Sequence, residues 1–399
     1  MAMKPILVPR LSLKGKSFQI AVPSSKSLAN RALILSALTR GVTRLIGNFD
    51  AEDIQLMMDG LRKIGVKIVG NVRIENDLKW RKNTKGLKLF LGNSGTSIRF
   101  LTALACLRKG ETILTGKPRL LERAIEDLVD ALRQIGAEIE YLGRDGYPPL
   151  LVKGRGVLKG GKVRVKADVS SQFLTSLLLI GSACDQPLDI QIAGKRISRP
   201  YVQMTVRMVK QWRPNSVVEV EGDASAAVYW WALGFLHDCK VTVKNIPKNS
   251  LQGDARFLGT LQLLGSHRSL QTLTIDMNDM PDASLMLMAL APCLKFPVRI
   301  VNIGSLRVKE TDRIEAMSTE LKKVGARVKT GRDWVQVYPL TPLKGGIVRV
   351  HTYDDHRIAM SMAILGTKLG HLRILDPDCV KKTYPGFWKE LMKFTHPRR

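Results

Sequence analysis

Acidic residues are scarce in this chain: 35 Asp and Glu face 63 Lys and Arg over 399 residues, a formal net charge of +28. Such an excess calls for anionic partners or a basic surface. Cysteine is scarce as well. Cys106, Cys184, Cys239, Cys293 and Cys379 lie far apart, with no C-x-x-C pair and no histidine at metal-ligand spacing, which excludes a disulfide framework and a structural zinc site. No apolar run reaches about 18 residues without a charge, and residues 1–10 hold no apolar core of signal-peptide length. The expectation is therefore a cytoplasmic protein without membrane contact. Aromatic residues make up only 6% of the chain, and no basic arm or aromatic-interleaved basic strand marks a nucleic-acid surface. A site for several anionic groups accounts for part of the charge, and the remainder belongs to the surface.

What is present is a core and a repeat. Apolar residues amount to 45%, enough for two or three domains. Six times a short polar group opens a nearly all-apolar helical run: Ser24-Ser25-Lys26 before 28–38, Asn93 to Thr96 before 98–107, and Ser170-Ser171-Gln172 before 173–180. Gly222-Asp223 before 224–236, Pro281-Asp282 before 283–291, and Asp354-Asp355-His356-Arg357 before 358–365 complete the set. Roughly 35 residues after each opening comes an amphipathic helix, three of them in nearly the same words: LRKIGV at 61–66, LRQIGA at 132–137 and LKKVGA at 321–326. Residues 261–265 form a weaker fourth copy, and 201–212 and 385–394 fill the remaining slots without the glycine. Short strands between them, 162–165, 217–220, 272–275 and 347–350, make the fold mixed α and β.

A helix apolar on all sides must be enclosed, so the first helix of each unit lies inside and the second covers it. Three units plus three give two α/β domains, 23–222 and a discontinuous one of 1–22 with 223–399, in which residues 7–22 supply strands that the last unit lacks. Only 22 residues separate Tyr201 from Asp223. The third unit should therefore lack a hairpin.

A buried helix that begins at a cleft offers free N–H groups and a positive dipole end to an anion. Lys26 and Arg31 bracket the first such start, and Gly92 to Thr96 lets backbone approach a ligand, with Arg99 one turn on. Ser170 and Ser171 read equally well as helix caps or ligand contacts, and capping would account for Asp223 and for Asp282. The stretch RVKETDR at 307–313 is denser: three cations and two carboxylates in seven residues, just before the helical pattern Ile314, Met317, Leu321, Val324. Helix chemistry does not explain cations near a positive dipole end. Glu310, set between Lys309 and Arg313, is a candidate acid and base.

Seven collinear stretches carry a resemblance: PSSKSLANR at 23–31, LGNSGTSIR at 91–99, EGDAS at 221–225, PDA at 281–283, RVKETDR at 307–313, DHR at 355–357 and KTYP at 382–385. Together they resemble the 3-phosphoshikimate 1-carboxyvinyltransferases, or EPSP synthases, in the family's order over nearly the whole chain. The resemblance implies a two-domain enolpyruvyl transferase fold of six repeated units with buried parallel helices, closing on shikimate 3-phosphate and phosphoenolpyruvate. It implies addition of the 5-hydroxyl to the enolpyruvyl C2 and then loss of phosphate, with no metal or organic cofactor. By motif position, Lys26, Ser27, Arg31, Ser170, Ser171, Gln172, Ser198, Asp282 and Lys309 resemble the shikimate-phosphate set. Lys26, Gly95, Arg123, Gln172, Arg313, Arg357 and Lys382 resemble the phosphoenolpyruvate set. Asn93, Thr96, Arg99, Asp223 and His356 support them, and Asp282, Glu310 and Lys26 resemble the catalytic group.

The implied partners are small anions, without nucleic acid or membrane, and the implied state is a monomer. Glyphosate is implied as a competitor in the phosphoenolpyruvate subsite. Two departures stand out: Ser305 where some members have Asn, and Phe100 where some have proline after the arginine. The related transfer to UDP-N-acetylglucosamine resembles a different first motif, with Asn after the lysine, and uses a loop cysteine. Here Ser27 follows Lys26, and Cys106 lies in an apolar helix.

Overall fold

The computed structural model describes residues 3–70, 73–166, 170–194, 198–340 and 346–395. The chain forms two compact units, Ser24–Glu221 and the discontinuous pair Met1–Pro23 with Gly222–Arg399. Each has its own apolar core, one built from Ala29 through Val220 and the other from Val8 through Phe394, with no residue in common.

Ser24–Glu221 is built around three enclosed helices, Lys26–Leu38, Gly95–Ala105 and Ser171–Ile180. Short side-chain caps start all three: Ser25 accepts from the N–H of Leu28, Ser94 from that of Ser97, and Ser170 from that of Gln172. In the other unit the enclosed helices are Ala224–His237, Ser284–Leu290 and His356–Leu369, with Asp223 and Asp355 capping the first and third. The Ser284–Leu290 helix is preceded instead by a 3-10 turn, Pro281–Ala283, and Asp282 makes no capping bond. A cap does not account for Asp282.

Among the described residues six parallel strand pairs accompany these six helices. Leu87–Phe90 with Lys109–Thr115, Gly161–Lys166 with Leu188–Ala193, Leu273–Asp276 with Val298–Val301, and Val348–Val350 with Leu372–Ile374 each flank one helix in sequence. The other two pairs are closed by distant chain. Val217–Glu219 lies parallel to Gly41–Ile46, and Ser17–Ile20 lies parallel to Lys240–Val243. Ile6–Leu7 adds an antiparallel edge to Leu372–Ile374. The sheet of Gly161–Lys166 and Leu188–Ala193 has just these two strands among the described residues, where the chain is too short for a further hairpin.

The three similar helix ends close alike. Gly65, Gly136 and Gly325 take φ of 111°, 96° and 89°, and the next N–H, of Val66, Ala137 and Ala326, returns to the carbonyl of Leu61, Leu132 and Leu321 at 3.0, 3.1 and 3.0 Å. This is the closure that a left-handed glycine permits. At 261–265 it does not form: the helix Phe257–Ser266 runs through Gly265 and stops at His267.

Candidate active site

The 307–313 stretch meets its partners within the discontinuous unit. Asp312 caps the helix Arg313–Lys323, accepting the Glu315 N–H at 3.1 Å, and receives Arg307 Nη1 at 2.6 Å. Arg313 is the first helical residue and is 1% exposed. Its Nε donates to Asp355 Oδ2 at 2.7 Å, Nη1 to Asp282 Oδ1 at 2.9 Å and Nη2 to Glu310 Oε2 at 2.9 Å. Three carboxylates therefore outweigh the helix dipole that would repel this cation.

Three more cations join the cluster. Arg357 Nη2 lies 3.0 Å from Asp282 Oδ2, Lys309 Nζ lies 3.6 Å from Asp282 Oδ1, and Lys382 Nζ lies 3.7 Å from Glu310 Oε1. Asp355 caps its helix by accepting the Arg357 N–H at 2.8 Å, and the buried His356 sets Nδ1 3.9 Å from Asp355 Oδ1. Four cations and three carboxylates thus share one largely buried patch, in which Asp282 and Lys309 are partly exposed. Burial pushes the Asp282 carboxyl up, but Arg357, Lys309 and Arg313 outweigh it and hold the group well below the usual carboxylate range. Burial likewise pushes Arg313 down, and Asp355, Glu310 and Asp282 more than reverse it.

Beside this patch Asp254 is buried and bonded to the Ser225 hydroxyl at the start of the Ala224–His237 helix. Asp223 caps the same helix through the Ala226 N–H at 3.1 Å. Burial is the largest influence on Asp254, and Arg357 opposes it incompletely; the carboxyl is pushed up to about 6.

Ser24–Glu221 presents a second set. Lys26 Nζ meets Asp53 Oδ2 at 2.9 Å, and the Asp53 carbonyl receives the Ser97 hydroxyl at 3.4 Å, so the starts of three helices are tied together. Arg31 is buried: Nη1 donates to the Ser27 carbonyl at 2.7 Å, Nε to Thr205 Oγ1 at 2.8 Å and Nη2 to the Tyr201 carbonyl at 3.3 Å. Its guanidinium carbon stands 5.6 Å from the Phe100 ring centre and 5.9 Å from that of Tyr201. Desolvation lowers its pKa to about 10, so it remains a cation at neutral pH. Ser198, mostly buried with φ of 52°, precedes the helix Arg199–Gln211 that supplies Tyr201 and Thr205.

Gly92 has φ of 53°, Asn93 is buried beside it, and a Cβ on Gly95 would stand 2.6 Å from Arg123 Nη2. Arg99 Nη1 donates to Gln172 Oε1 at 2.7 Å and to the Gly95 carbonyl at 3.2 Å, while Gln172 Nε2 donates to Thr96 Oγ1 at 3.0 Å. Ser170 accepts the Gln172 N–H at 3.2 Å and Ser171 is buried next to it. Asp53 and Asp355 escaped the sequence-based site list. Asp355 carried a local signal, an acid one residue before a helix that opens with His356 and Arg357. Asp53 carried none, since its partner Lys26 lies 27 residues away.

Comparison with known proteins bears on the family of the chain. A family model described as EPSP synthase (3-phosphoshikimate 1-carboxyvinyltransferase) matches residues 13–215 and 209–391. The two matched segments overlap at 209–215, within the short stretch of the third unit. A 3-phosphoshikimate 1-carboxyvinyltransferase of Pasteurella multocida is 38% identical over 424 residues, covering 95% of each chain. One of Haemophilus influenzae is 39% identical over 431 residues, covering 98% of each. Among solved structures, EPSP synthase from Acinetobacter baumannii shares the fold with a TM-score of 0.77 at 23% identity, over 98% of both chains. The enolpyruvyl transferase NikO from Streptomyces tendae gives a TM-score of 0.73 at 15% identity, again over 98% of both. With the motifs in order, their side chains gathered in two charged sets and the full length matched, this chain belongs to the EPSP synthase family.

Proposed function

We propose that this chain transfers the enolpyruvyl group of phosphoenolpyruvate to the 5-hydroxyl of shikimate 3-phosphate and releases phosphate, through a tetrahedral adduct. The observation that carries the reading is the buried patch in which Asp282 and Glu310 are both held by Arg313, with Arg357, Lys309 and Lys382 around them. The carboxylates serve as internal counter-ions, which keeps four cations preorganised where substrate carboxylate and phosphate arrive. An Asp282 so strongly ionised is a weak base. Once substrate anions take over Arg313 and Arg357, its field weakens and it becomes able to accept the hydroxyl proton. Glu310 donates to C3 during addition and retrieves that proton as phosphate leaves.

Lys26, Gly95, Arg123, Gln172, Arg313, Arg357 and Lys382 are the phosphoenolpyruvate contacts in this reading. Lys26, Ser27, Arg31, Ser170, Ser171, Gln172, Ser198, Asp282 and Lys309 are the shikimate-phosphate contacts. Arg31 suits that task because two rings and four acceptors fix its guanidinium before any ligand arrives. The six enclosed helices, each with its parallel strand pair, are read as six copies of one unit. A phosphate-release assay tests the function: release that requires both substrates is expected, and release with phosphoenolpyruvate alone, or none with both, rejects it.

A further inference from the structure

Asp355, which joins Arg313 to the His356–Leu369 helix, ends a turn built without glycine. The strand Val348–Val350 leads into Thr352, Tyr353, Asp354 and Asp355, and the Asp355 N–H donates to the Thr352 carbonyl at 2.9 Å. The two central residues have φ of 56° and 52°. A four-residue turn with both central φ positive is of the type I′ kind, whose favoured residues are Asn and Gly. Tyrosine is among the residues least suited to it. Such a conformation persists only where the surroundings over-determine it.

Tyr353 and Asp354 are exposed on one side of the turn, and on the other the main hold is a buried carboxylate. Glu320, two turns along the helix that Arg313 begins, is fully enclosed. Its Oε1 accepts the Tyr353 hydroxyl at 2.7 Å and its Oε2 accepts the His351 N–H at 3.2 Å. Lys323 Nζ closes on the two oxygens at 2.7 and 2.9 Å. The Thr352 hydroxyl adds a contact to Asp376 Oδ2 at 3.5 Å. One rigid helix therefore carries Arg313 at its start and, two turns on, the acceptor that holds the turn delivering Asp355 and Arg357.

We propose that Glu320 and Tyr353 are positioning residues, which pin a strained turn so that Asp355 and Arg357 keep the geometry that holds Arg313 and the phosphoenolpyruvate anion. The inference rests on the function proposed above. Neither residue belongs to the anion-binding set, so their effect travels through the turn.

Strain separates this role from ordinary packing. Tyr353→Phe keeps the ring and the strain and loses the bond, whereas Tyr353→Gly loses the bond and the strain together. The expected result is a roughly tenfold higher KM for phosphoenolpyruvate in Tyr353→Phe, kcat within about threefold of the parent, and Tyr353→Gly closer to the parent than Tyr353→Phe. Glu320→Gln should follow Tyr353→Phe. A parent KM in Tyr353→Phe, or a Tyr353→Gly more impaired than Tyr353→Phe, overturns the proposal. Amide hydrogen exchange of the substrate-free proteins provides a readout that needs no turnover. Exchange at the Asp355 and Arg357 amides should quicken by about tenfold or more in Tyr353→Phe, and unchanged exchange there also overturns the proposal. A parent that releases no phosphate with both substrates rejects the proposed function instead, and the exchange result still decides whether Tyr353 pins the turn.

Discussion

Glu310 accepts from Arg313 and lies near Lys382, so a neutral amide in its place keeps the shape and removes the group that can give and take a proton. Glu310→Gln is expected to lower kcat by about 100-fold or more while the KM values stay within a few-fold of the parent. Steady-state kinetics with both substrates check this, and a kcat within a few-fold of the parent rules out the proton-transfer role. Gly95 gives a second case at this scale. A methyl group there would lie 2.6 to 2.8 Å from the Arg123 guanidinium, so the guanidinium must move. Gly95→Ala should raise the KM for phosphoenolpyruvate and weaken competitive inhibition by glyphosate, the longer anion, by a larger factor. Inhibition constants measured on both proteins decide it. Phe100 acts elsewhere: its buried ring lies against Arg31, and Phe100→Leu should raise the KM for shikimate 3-phosphate a few-fold, since an exposed-to-desolvated cation–π contact is worth about 0.5–2 kcal/mol.

The starts of the enclosed helices govern the next scale. Asp254 holds Ser225 near the start of Ala224–His237, and its raised pKa has a definite sign. A carboxyl that titrates near 6 when folded, against about 3.9 unfolded, binds more protons in the native state between those values. Its contribution to stability is fully present below about pH 3.9 and is lost as pH rises to about 6. Asp254→Asn should therefore melt higher than the parent above pH 6 and lose that advantage toward pH 4, as calorimetric scans across this range would show. Openings and stops of this kind were legible in the sequence because they are local: a Ser or Asp before an apolar run, a glycine after LRKI, LRQI or LKKV. Where the local words were imperfect, as at 261–265, the glycine did not end the helix. Local sequence could offer only capping for Asp282, and the resemblance alone set it among the catalytic residues, since its partners Arg313, Lys309 and Arg357 are contributed by later segments. Pairs such as Lys26 with Asp53, Arg31 with Phe100 and Glu320 with Tyr353 leave no mark in spacing, because topology alone brings them together.

At the scale of the molecule, charge and connectivity are the two distinctive features. Ser24–Glu221 carries 33 Lys and Arg against 19 Asp and Glu, and the rest of the chain 30 against 16, so the basic excess is divided evenly between the two units. Separate cores imply separate stability. The contiguous segment 24–221, expressed alone, is expected to unfold cooperatively on heating, followed by circular dichroism. A chain lacking residues 1–22 should keep that transition and lose the one that belongs to the discontinuous unit, because Val8, Leu13, Ile20 and Val22 are buried in the discontinuous core and two sheets lose a strand. A truncated chain that melts like the parent would show those strands to be dispensable.

That borrowed strand also orders events on the ribosome. Ile6–Leu7 emerges among the first residues, yet its partner Leu372–Ile374 is among the last. At roughly 5–20 residues per second the interval between them is on the order of 20–70 s, ample for Ser24–Glu221 to emerge whole and fold first. Throughout that interval Ile6–Leu7 lacks its partner, and Ser17–Ile20 waits for Lys240–Val243, so the discontinuous unit closes only after the contiguous one has been made.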